Sequence, residues 1–591
     1  MDHDARNIGL CMIVPLVALA VAMPFAEGGF VDDFSYIHMA KTLAETGRFA
    51  YNGWPTAMLG IQVWWGAAWI WLCGFSFTVV RLGVLPFALG AVAMVYLLAR
   101  RARLSPSDSL FAALLTGLST LFLPLAATFM SDIPAFACLN VALYGFARAA
   151  DAAEEVPARE TRAVAWLAFG TIVAVLGGTI RQTVWFVPVA CAAVLCLRRS
   201  CGTRLRLAAL ASLAVGLATI VVGTSWFNRQ PYAIPTRLPA VGSLAPSDMA
   251  AVVRDALSVV AESFQKVLPA LLFCLPWVMT RAVDAMRTGW GRAVVVVTVG
   301  AMAIVVTGTV AGSFEGPLVL LGGWWRPVGH PLYDTGVGLV RCGVLGLGVA
   351  LALAVTVAVA RRRADPGPVP RLPAAIVMPL AYLVPYGLSL LLVSRTTAGI
   401  YPRYYLPMLP VLTCWLLVST RPSARARVGA DRRSSLGWLL MAFFAARGIA
   451  IAHDEFVDTR ARLAAIAFLE RQGVARDRIT SKWAIDGWEQ IERQGHVNDP
   501  RIRNPPDAYR EDLPHDYPDP QFRDRFPALR PEYIVAEERE QMPGDTRAFP
   551  RFPYTAWLRR PHFREIVIRA QASGNEAGEV AAGDSLRPVS R

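Results

Sequence analysis

Long apolar stretches fill the first 452 residues and restrict the folds that this chain can adopt. A helix that crosses a membrane needs about 20 mainly apolar residues. Of the residues, 55% are hydrophobic and only 17% are charged, against about 25% charged in soluble domains. We therefore predict a polytopic α-helical membrane protein with about 13 transmembrane helices. The predicted spans are 8–26, 82–99, 108–126, 128–147, 164–180, 183–197, 207–226, 265–280, 293–312, 337–360, 372–393, 403–420 and 435–452.

The net charge of +14 lies in the apolar part of the chain. Residues 1–452 hold 36 basic and 20 acidic residues, whereas residues 453–591 hold 22 basic and 24 acidic ones. With a cytoplasmic N-terminus, the predicted cytoplasmic loops contain 22 basic residues and the opposite loops contain 10. Because basic residues concentrate in cytoplasmic loops, we interpret the charge as a sign of orientation and expect no nucleic-acid partner. The prediction is a multi-pass protein of the cytoplasmic (inner) membrane, with a periplasmic or extracellular C-terminal region.

Three stretches leave alternatives open. If 164–197 were one helix without a turn near Arg181, the C-terminal region would be cytoplasmic. The segment 8–26 has the length of a signal peptide as well as that of a span. The stretch 57–77 is rich in tryptophan and broken by glycine, which favours helices lying at the membrane interface.

The chain changes character after residue 452. We predict a transmembrane catalytic domain at 1–452, whose first exoplasmic loop is 27–80, and a soluble exoplasmic domain at 453–591. The second part is polar, with a helical pattern at 457–472 and strand-like runs at 533–536 and 565–569. It is expected to form a small α/β domain.

An adjacent acidic pair, Asp32 and Asp33, follows the first predicted span. Asp32 and Tyr36 fall on one helical face, and His38 lies about one turn beyond the pair. Capping of a helix needs only one aspartate. Two carboxylates at the mouth of a membrane cavity also suit a general base or a divalent-cation site.

Asp132 lies within the predicted span 128–147, near its outer end and on the same side of the membrane as the acidic pair. An ionisable group at that depth is a candidate functional residue. Arginines at the outer ends of spans, among them Arg81, Arg181 and Arg403, either reach lipid headgroups or bind phosphate. Arg403 and Tyr404 open a helix in Arg-Tyr-Tyr-Leu-Pro, which makes Arg403 the best phosphate-binding candidate.

Together these motifs resemble the GT-C superfamily of lipid-linked-sugar glycosyltransferases. The narrower resemblance is to the protein mannosyltransferase and aminoarabinose transferase branch, with its bacterial galacturonosyltransferase-like members. The matching patches are Asp32-Asp33-Phe34-Ser35-Tyr36, Gly74-Phe75-Ser76 with Arg81, Ser131-Asp132-Ile133-Pro134, and Arg403-Tyr404-Tyr405-Leu406-Pro407. Two features depart from the branch: Asp33 stands where Glu is common, and Pro55-Thr56-Ala57-Met58 replaces a Lys-Pro-Pro-rich stretch. The second departure, the replacement of the Lys-Pro-Pro-rich stretch, does not favour lipid A as the acceptor.

The resemblance implies an inverting transfer of a sugar from a polyprenyl-phosphate donor to an envelope acceptor, on the outer face of the membrane. The acceptor is a glycan, a lipid or a protein. Asp32 is implied as the general base, with Asp33 or Asp132 orienting the acceptor or holding a divalent cation. From charge and position, we expect Arg403 with Tyr404, Arg181 and Arg81 to bind the departing phosphate, and Tyr36 and His38 to face the acceptor.

The competing interpretation is a lipid-linked-sugar flippase or another multi-span transporter. Such proteins tend to show internal repeats and ionisable groups near the bilayer midplane. We find no internal repeat in this sequence. Its acidic residues lie at the outer ends of the predicted spans and not near the midplane.

Overall fold

The computed structural model describes the chain at 3–155, 160–235, 267–274, 372–394, 401–420, 434–511, 517, 519, 522–540, 549–559 and 561–571. The membrane part is built of helices. They are α1 (His3–Ala22), α2 (Asp33–Thr46), α3 (Gly60–Cys73), α4 (Phe77–Leu82), α5 (Leu85–Arg101), α6 (Pro106–Gly117), α7 (Phe122–Ala126), α8 (Asp132–Glu154), α9 (Glu160–Ile180), α10 (Phe186–Leu197), α11 (Thr203–Asn228), α12 (Leu268–Phe273), α13 (Ala374–Ser394), α14 (Met408–Ser419), α15 (Ser435–Arg471) and α16 (Trp483–Gln494).

The predicted fold class is confirmed. Within the described ranges, seven helical segments are long and apolar enough to cross a membrane, if α4 and α5 are taken together as one. They are His3–Ala22, Phe77–Arg101, Asp132–Glu154, Glu160–Ile180, Thr203–Asn228, Ala374–Val393 and Ser435–Arg471. The predicted spans 293–312 and 337–360, and half of 265–280, lie outside the described residues. The total of 13 spans therefore stays a prediction.

The predicted span 108–126 is not one helix. It is divided into α6, which ends at Gly117, and α7, which begins at Phe122. Ser119 causes the break, since its hydroxyl donates to the Thr116 carbonyl oxygen and accepts from the Phe122 amide. A serine hydroxyl that binds nearby backbone groups competes in this way with helical hydrogen bonds.

The chain also breaks at Arg181, so 164–197 is not a single helix. Arg181 is extended, with φ −142° and ψ 118°, and separates α9 from a 3₁₀ turn at Gln182–Trp185 that leads into α10. The predicted turn is thus confirmed. The stretch 57–77 contains α3, a 14-residue helix with exposed Trp64 and Trp71. Its position at a membrane interface stays a prediction.

Helices α8 and α9 pack closely because glycines face the contact. A Cβ atom on Gly145 would lie 2.9 Å from the Gly170 Cα, and one on Gly177 would overlap the Cys138 Cβ. Small residues allow membrane helices to approach in this way. The contact places the start of α8, at Asp132, near the end of α9, at Arg181.

The C-terminal region forms a four-stranded sheet in the order β1-β2-β4-β3. Strand β1 (Ile479–Thr480) pairs in parallel with β2 (Tyr533–Glu537), and β4 (Phe563–Ala570) pairs antiparallel with β2 and with β3 (Phe552–Thr555). The strand-like runs at 533–536 and 565–569 are therefore confirmed. Apolar residues of α15, among them Ala465 and Leu469, pack with the inner face of this sheet.

Helix α15 joins the two parts of the chain. It runs for 37 residues, from Ser435 to Arg471, without a break. The predicted domain boundary after residue 452 falls within it, so continuous helix and not a flexible linker connects the membrane part to the sheet. The predicted helix at 457–472 is the second half of α15.

Candidate active site

The two adjacent aspartates at the start of α2 lie in different environments. Asp32 occupies the N-cap position, but its side chain makes no capping hydrogen bond. Asp33 is fully buried, whereas the side chain of Asp32 is 18% exposed. Capping therefore does not explain Asp32.

Asp33 holds the first loop against the bundle through Arg81. The Arg81 Nε lies 2.8 Å from Asp33 Oδ2, and Nη2 lies 3.1 Å from Oδ1. The amides of Phe30 and Phe129 also donate to this carboxylate, at 2.7 and 3.3 Å. The Arg81 side chain is only 3% exposed, and its guanidinium also donates hydrogen bonds to the carbonyl oxygens of Ala26 and Gly28. The pair is a buried structural ion pair, and Arg81 is not placed with the other two arginines.

Asp32 has two donors from distant parts of the chain. Arg403 Nη2 lies 3.2 Å from Asp32 Oδ2, and the Trp54 indole Nε1 donates to Oδ1 at 3.0 Å. Arg403 lies in a 3₁₀ turn, Pro402–Tyr405, and its side chain is 20% exposed. Asp32 is thus an accessible carboxylate with both oxygens oriented.

Asp132 pairs with Arg181 at the meeting of α8 and α9. Its Oδ2 atom is buried and has no hydrogen-bond partner within the described part of the chain, and the same holds for Arg403 Nε. Buried polar atoms are nearly always satisfied. Two unsatisfied atoms lining one cleft therefore indicate a place where a polar ligand binds.

Tyrosines hold both cleft arginines in place. The Tyr404 ring lies 5.1 Å from the Arg181 guanidinium and 5.6 Å from that of Arg403. The Tyr386 hydroxyl donates to the Tyr404 carbonyl oxygen at 2.6 Å, which ties the turn to α13. Cation–π contacts of this kind favour guanidinium groups that are partly removed from water.

Arg181, Arg403 and Tyr386 line a cleft with about 330 Å³ of space, part of which is open to solvent. Its polar lining includes Asp132, Arg181, Thr183 and Arg403, beside Tyr382 and Tyr386. Each guanidinium carries five N–H donors, and each gives one nitrogen to a carboxylate. The cleft can therefore still donate several hydrogen bonds to an anion.

A second cavity, with about 320 Å³ of space, lies next to the cleft in the apolar part of the bundle. The same three segments line both: α8, α13 and the chain from Arg403 into α14. Residues one turn further along these segments form its wall: Asn140, Leu143, Ala375, Ile376, Pro379, Pro410, Val411 and Cys414. A charged cleft thus has an almost wholly apolar cavity beside it.

The structure places Tyr36 and His38 in different surroundings. Tyr36 is buried, and burial together with nearby Asp32 raises the pKa of its hydroxyl. His38 faces the C-terminal region: its ring lies 5.3 Å from the Trp488 ring, and its Nε2 lies 3.8 Å from Glu492. Only Tyr36 is placed beside the Asp32 and Arg403 side chains.

The residues present do not fit a cation held by the acidic pair. Both Asp33 oxygens are engaged by Arg81 and by backbone amides. The described ranges contain no group of three or more His, Cys, Asp or Glu side chains with the spacing of a metal site. We derive no chemical step through a metal.

Sequence reasoning missed Trp54 and the tyrosine pair Tyr382 and Tyr386. Tyr382 and Tyr386 are four residues apart in an apolar span, a spacing that places polar groups on one helix face. Trp54 follows an Asn-Gly turn in the same loop as Asp32. No local signal in the sequence shows that these residues reach Asp32 or the arginines.

Comparison with known proteins found only distant structural likenesses. No protein-family model and no curated protein sequence matches the chain. It is similar to the archaeal oligosaccharyltransferase AglB from Archaeoglobus fulgidus in complex with an inhibitory peptide and a dolichol-phosphate, with a TM-score of 0.44, 14% identity, and 89% of this chain and 69% of that chain covered. It is also similar to ArnT from Cupriavidus metallidurans bound to undecaprenyl phosphate, with a TM-score of 0.35, 12% identity, and 95% and 97% covered. The site residues are therefore assigned from their own geometry.

Proposed function

We propose that this protein is a GT-C-type glycosyltransferase that moves a sugar from a polyprenyl-phosphate donor to an acceptor hydroxyl. The observation that carries the proposal is the position of two neighbouring cavities on the same three segments, a cleft with two arginines and an apolar cavity about one turn further along. A ligand that fills both must have an anionic group at one end and a hydrocarbon chain at the other. A polyprenyl phosphate has this chemistry.

The two arginines suit the phosphate. Arg181 and Arg403 each retain donors beyond those bound to Asp132 and Asp32. Guanidinium groups bind phosphate oxygens through paired hydrogen bonds. Fixed donors aimed at a leaving phosphate stabilise the charge that develops on it during transfer.

Asp32 suits the role of the general base. It is the accessible carboxylate of the acidic pair, and a general base must lie within hydrogen-bond reach of the proton that it removes. As the acceptor oxygen attacks the anomeric carbon, Asp32 takes the hydroxyl proton. The bond from that carbon to the phosphate oxygen breaks, and the electron pair leaves with the phosphate. Attack from the face opposite the phosphate inverts the anomeric centre.

In the proposed reaction, Asp33 and Asp132 hold other groups in position. Asp33 anchors the start of α2 through Arg81, and Asp132 orients Arg181 beside the phosphate. The distribution of basic residues supports a reaction on the outer face of the cytoplasmic membrane.

The test is transfer by purified protein in proteoliposomes that contain a radiolabelled polyprenyl-phosphate sugar. Asp32→Asn is expected to insert normally and to lower kcat by about 100-fold or more, the scale of general-base catalysis. Asp151→Asn is the control, because Asp151 pairs with Arg101 at the other end of α8. Near-wild-type turnover by the Asp32→Asn variant would show that Asp32 is not the general base. A protein that moves the intact lipid across the bilayer without releasing polyprenyl phosphate would be a flippase.

A further inference from the structure

Asp32 is oriented from two sides. Arg403 holds Oδ2, and the indole nitrogen of Trp54 holds Oδ1. Two donors on opposite oxygens fix the plane of the carboxylate, because hydrogen bonds weaken steeply when bent away from the acceptor lone pairs. Arg403 is also the proposed phosphate ligand, whereas the indole N–H of Trp54 donates to Asp32 alone among the residues that the structure describes.

Aromatic rings of the C-terminal region hold Trp54. Its ring is stacked on Trp483 of α16 at 5.2 Å, and lies 6.4 Å from both Phe522 and Phe526. The Arg525 guanidinium lies 5.4 Å from the same ring. Phe34, two residues after Asp32, meets Trp54 edge-on at 5.1 Å. The indole is thereby fixed between the first loop and the C-terminal region.

The backbone before Trp54 is fixed by the same region. The Val497 amide donates to the Asn52 carbonyl oxygen at 3.0 Å. Asn52 is also tied to α2, since its side chain exchanges hydrogen bonds with Ser35 at 2.7 and 3.0 Å. Gly53 has φ +81°, and a Cβ there would lie 2.9 Å from the Val497 carbonyl oxygen. Only glycine suits this position.

We propose that Trp54 is the positioning residue of Asp32, and that the C-terminal region completes the active site by holding Trp54 in place. The proposal rests on the proposed function of Asp32 as the base. The indole N–H holds Oδ1 and keeps the plane of the carboxylate fixed beside Arg403. The C-terminal region thus sets the geometry of a catalytic group in the membrane part.

The first test separates the N–H group from the ring. We would replace the Trp54 indole by benzothiophene, which keeps the bicyclic ring and puts sulfur in place of N–H, and compare it with Trp54→Phe. Both are expected to lower kcat by about 10- to 100-fold, the scale of a misplaced catalytic group, and to leave the KM for the donor within about 2-fold. Trp71→Phe is the control, because the Trp71 indole donates to the Ala44 carbonyl oxygen instead. Wild-type kcat in the benzothiophene variant would overturn the proposal.

The second test needs no turnover. Carbodiimide activates carboxyl groups for coupling to an added amine, so the rate at which Asp32 is labelled at one fixed pH can be followed by peptide mass spectrometry in the full-length protein. Loss of the hydrogen bond to Oδ1 leaves the carboxylate less firmly held, which is expected to raise this rate by about 5-fold in both Trp54 variants. Trp483→Ala should move it in the same direction, whereas Trp557→Ala, on a ring stacked with His453, should not.

The two tests also distinguish the two proposals. If the wild-type protein transfers no sugar but the labelling rate of Asp32 rises in the Trp54 variants, the proposed function fails and the positioning of Asp32 stands. If transfer depends on Asp32 but neither the labelling rate nor kcat changes in the Trp54 variants, the proposed function stands and the positioning role fails.

Discussion

At the scale of single residues, neighbouring aspartates have different tasks because their partners differ. Asp33 is buried in a bidentate ion pair with Arg81, whereas the partly exposed Asp32 accepts a hydrogen bond from Arg403. Removal of one member of a buried ion pair leaves an uncompensated charge and costs more than removal of a partly exposed one. Arg81 and Arg403 should therefore respond differently to the same substitution.

Arg81→Met is expected to lower the free energy of unfolding by about 3–5 kcal/mol, because Asp33 would remain buried without its partner. Arg403→Met is the matched control. It should change stability by no more than about 1 kcal/mol while weakening donor binding. Thermal unfolding in detergent and a donor-binding assay measure the two effects. Equal stability of the two variants would contradict the structural role of the Asp33–Arg81 pair.

At the scale of helices, the packing of α8 on α9 sets the distance between Asp132 and Arg181. Gly177 lies four residues before Arg181, and its contact, Cys138, lies six residues after Asp132. A side chain at Gly177 would separate the helices close to the cleft. The ion pair at their ends would then open.

Gly177→Ala is expected to destabilise the protein by about 1–3 kcal/mol, the usual cost of overpacking, and to raise the KM for the donor. Gly90→Ala is the same substitution on α5, at a position where a Cβ meets nothing within 4 Å. It should be neutral or stabilise by up to about 1 kcal/mol, because alanine favours helix more than glycine does. Thermal unfolding and donor titration check both. A Gly177→Ala variant as stable as Gly90→Ala would show that α8 and α9 tolerate a wider separation.

At the scale of the whole molecule, the first loop and the C-terminal region are packed as one unit. Helix α2 contacts α16 through His38, Lys41, Trp488 and Glu492. Burial, with Lys41 also contributing, lowers the pKa of His38 from 6.5 to about 4, and Glu492 opposes the shift. His38 is therefore neutral in this contact at neutral pH.

This contact should weaken in acid. Because the folded-state pKa lies below the unfolded value, unfolding takes up a proton between pH 6.5 and about 4. Stability is then highest above pH 6.5 and falls as the pH drops toward 4, by about 1–3 kcal/mol in total. His38→Gln should remove this part of the pH dependence, and His562→Gln, on the sheet side of the C-terminal region, should retain it. Unfolding temperatures measured from about pH 7.5 to about pH 5 test this; equal slopes in all three proteins would exclude His38 as the cause.

The amino-acid sequence by itself was enough to predict a helical membrane protein, the turn at Arg181, two of the strands and the acidic residues worth examining. Hydropathy, charge and turn-forming residues are properties of short segments, so they can be read without knowledge of the fold. The same local patterns failed at 108–126, where the Ser119 hydroxyl interrupts a stretch that is apolar throughout.

Only the tertiary structure decided which residues act together. Arg403 reaches Asp32 across 371 positions of sequence, and Arg81 reaches Asp33 across 48. Trp54 meets Trp483 and Phe522 only because α15 carries the C-terminal region back over the first loop. Contacts between distant segments depend on how helices pack, which no local pattern specifies. For that reason, the separate tasks of Asp32 and Asp33 became apparent only from their partners in the folded chain.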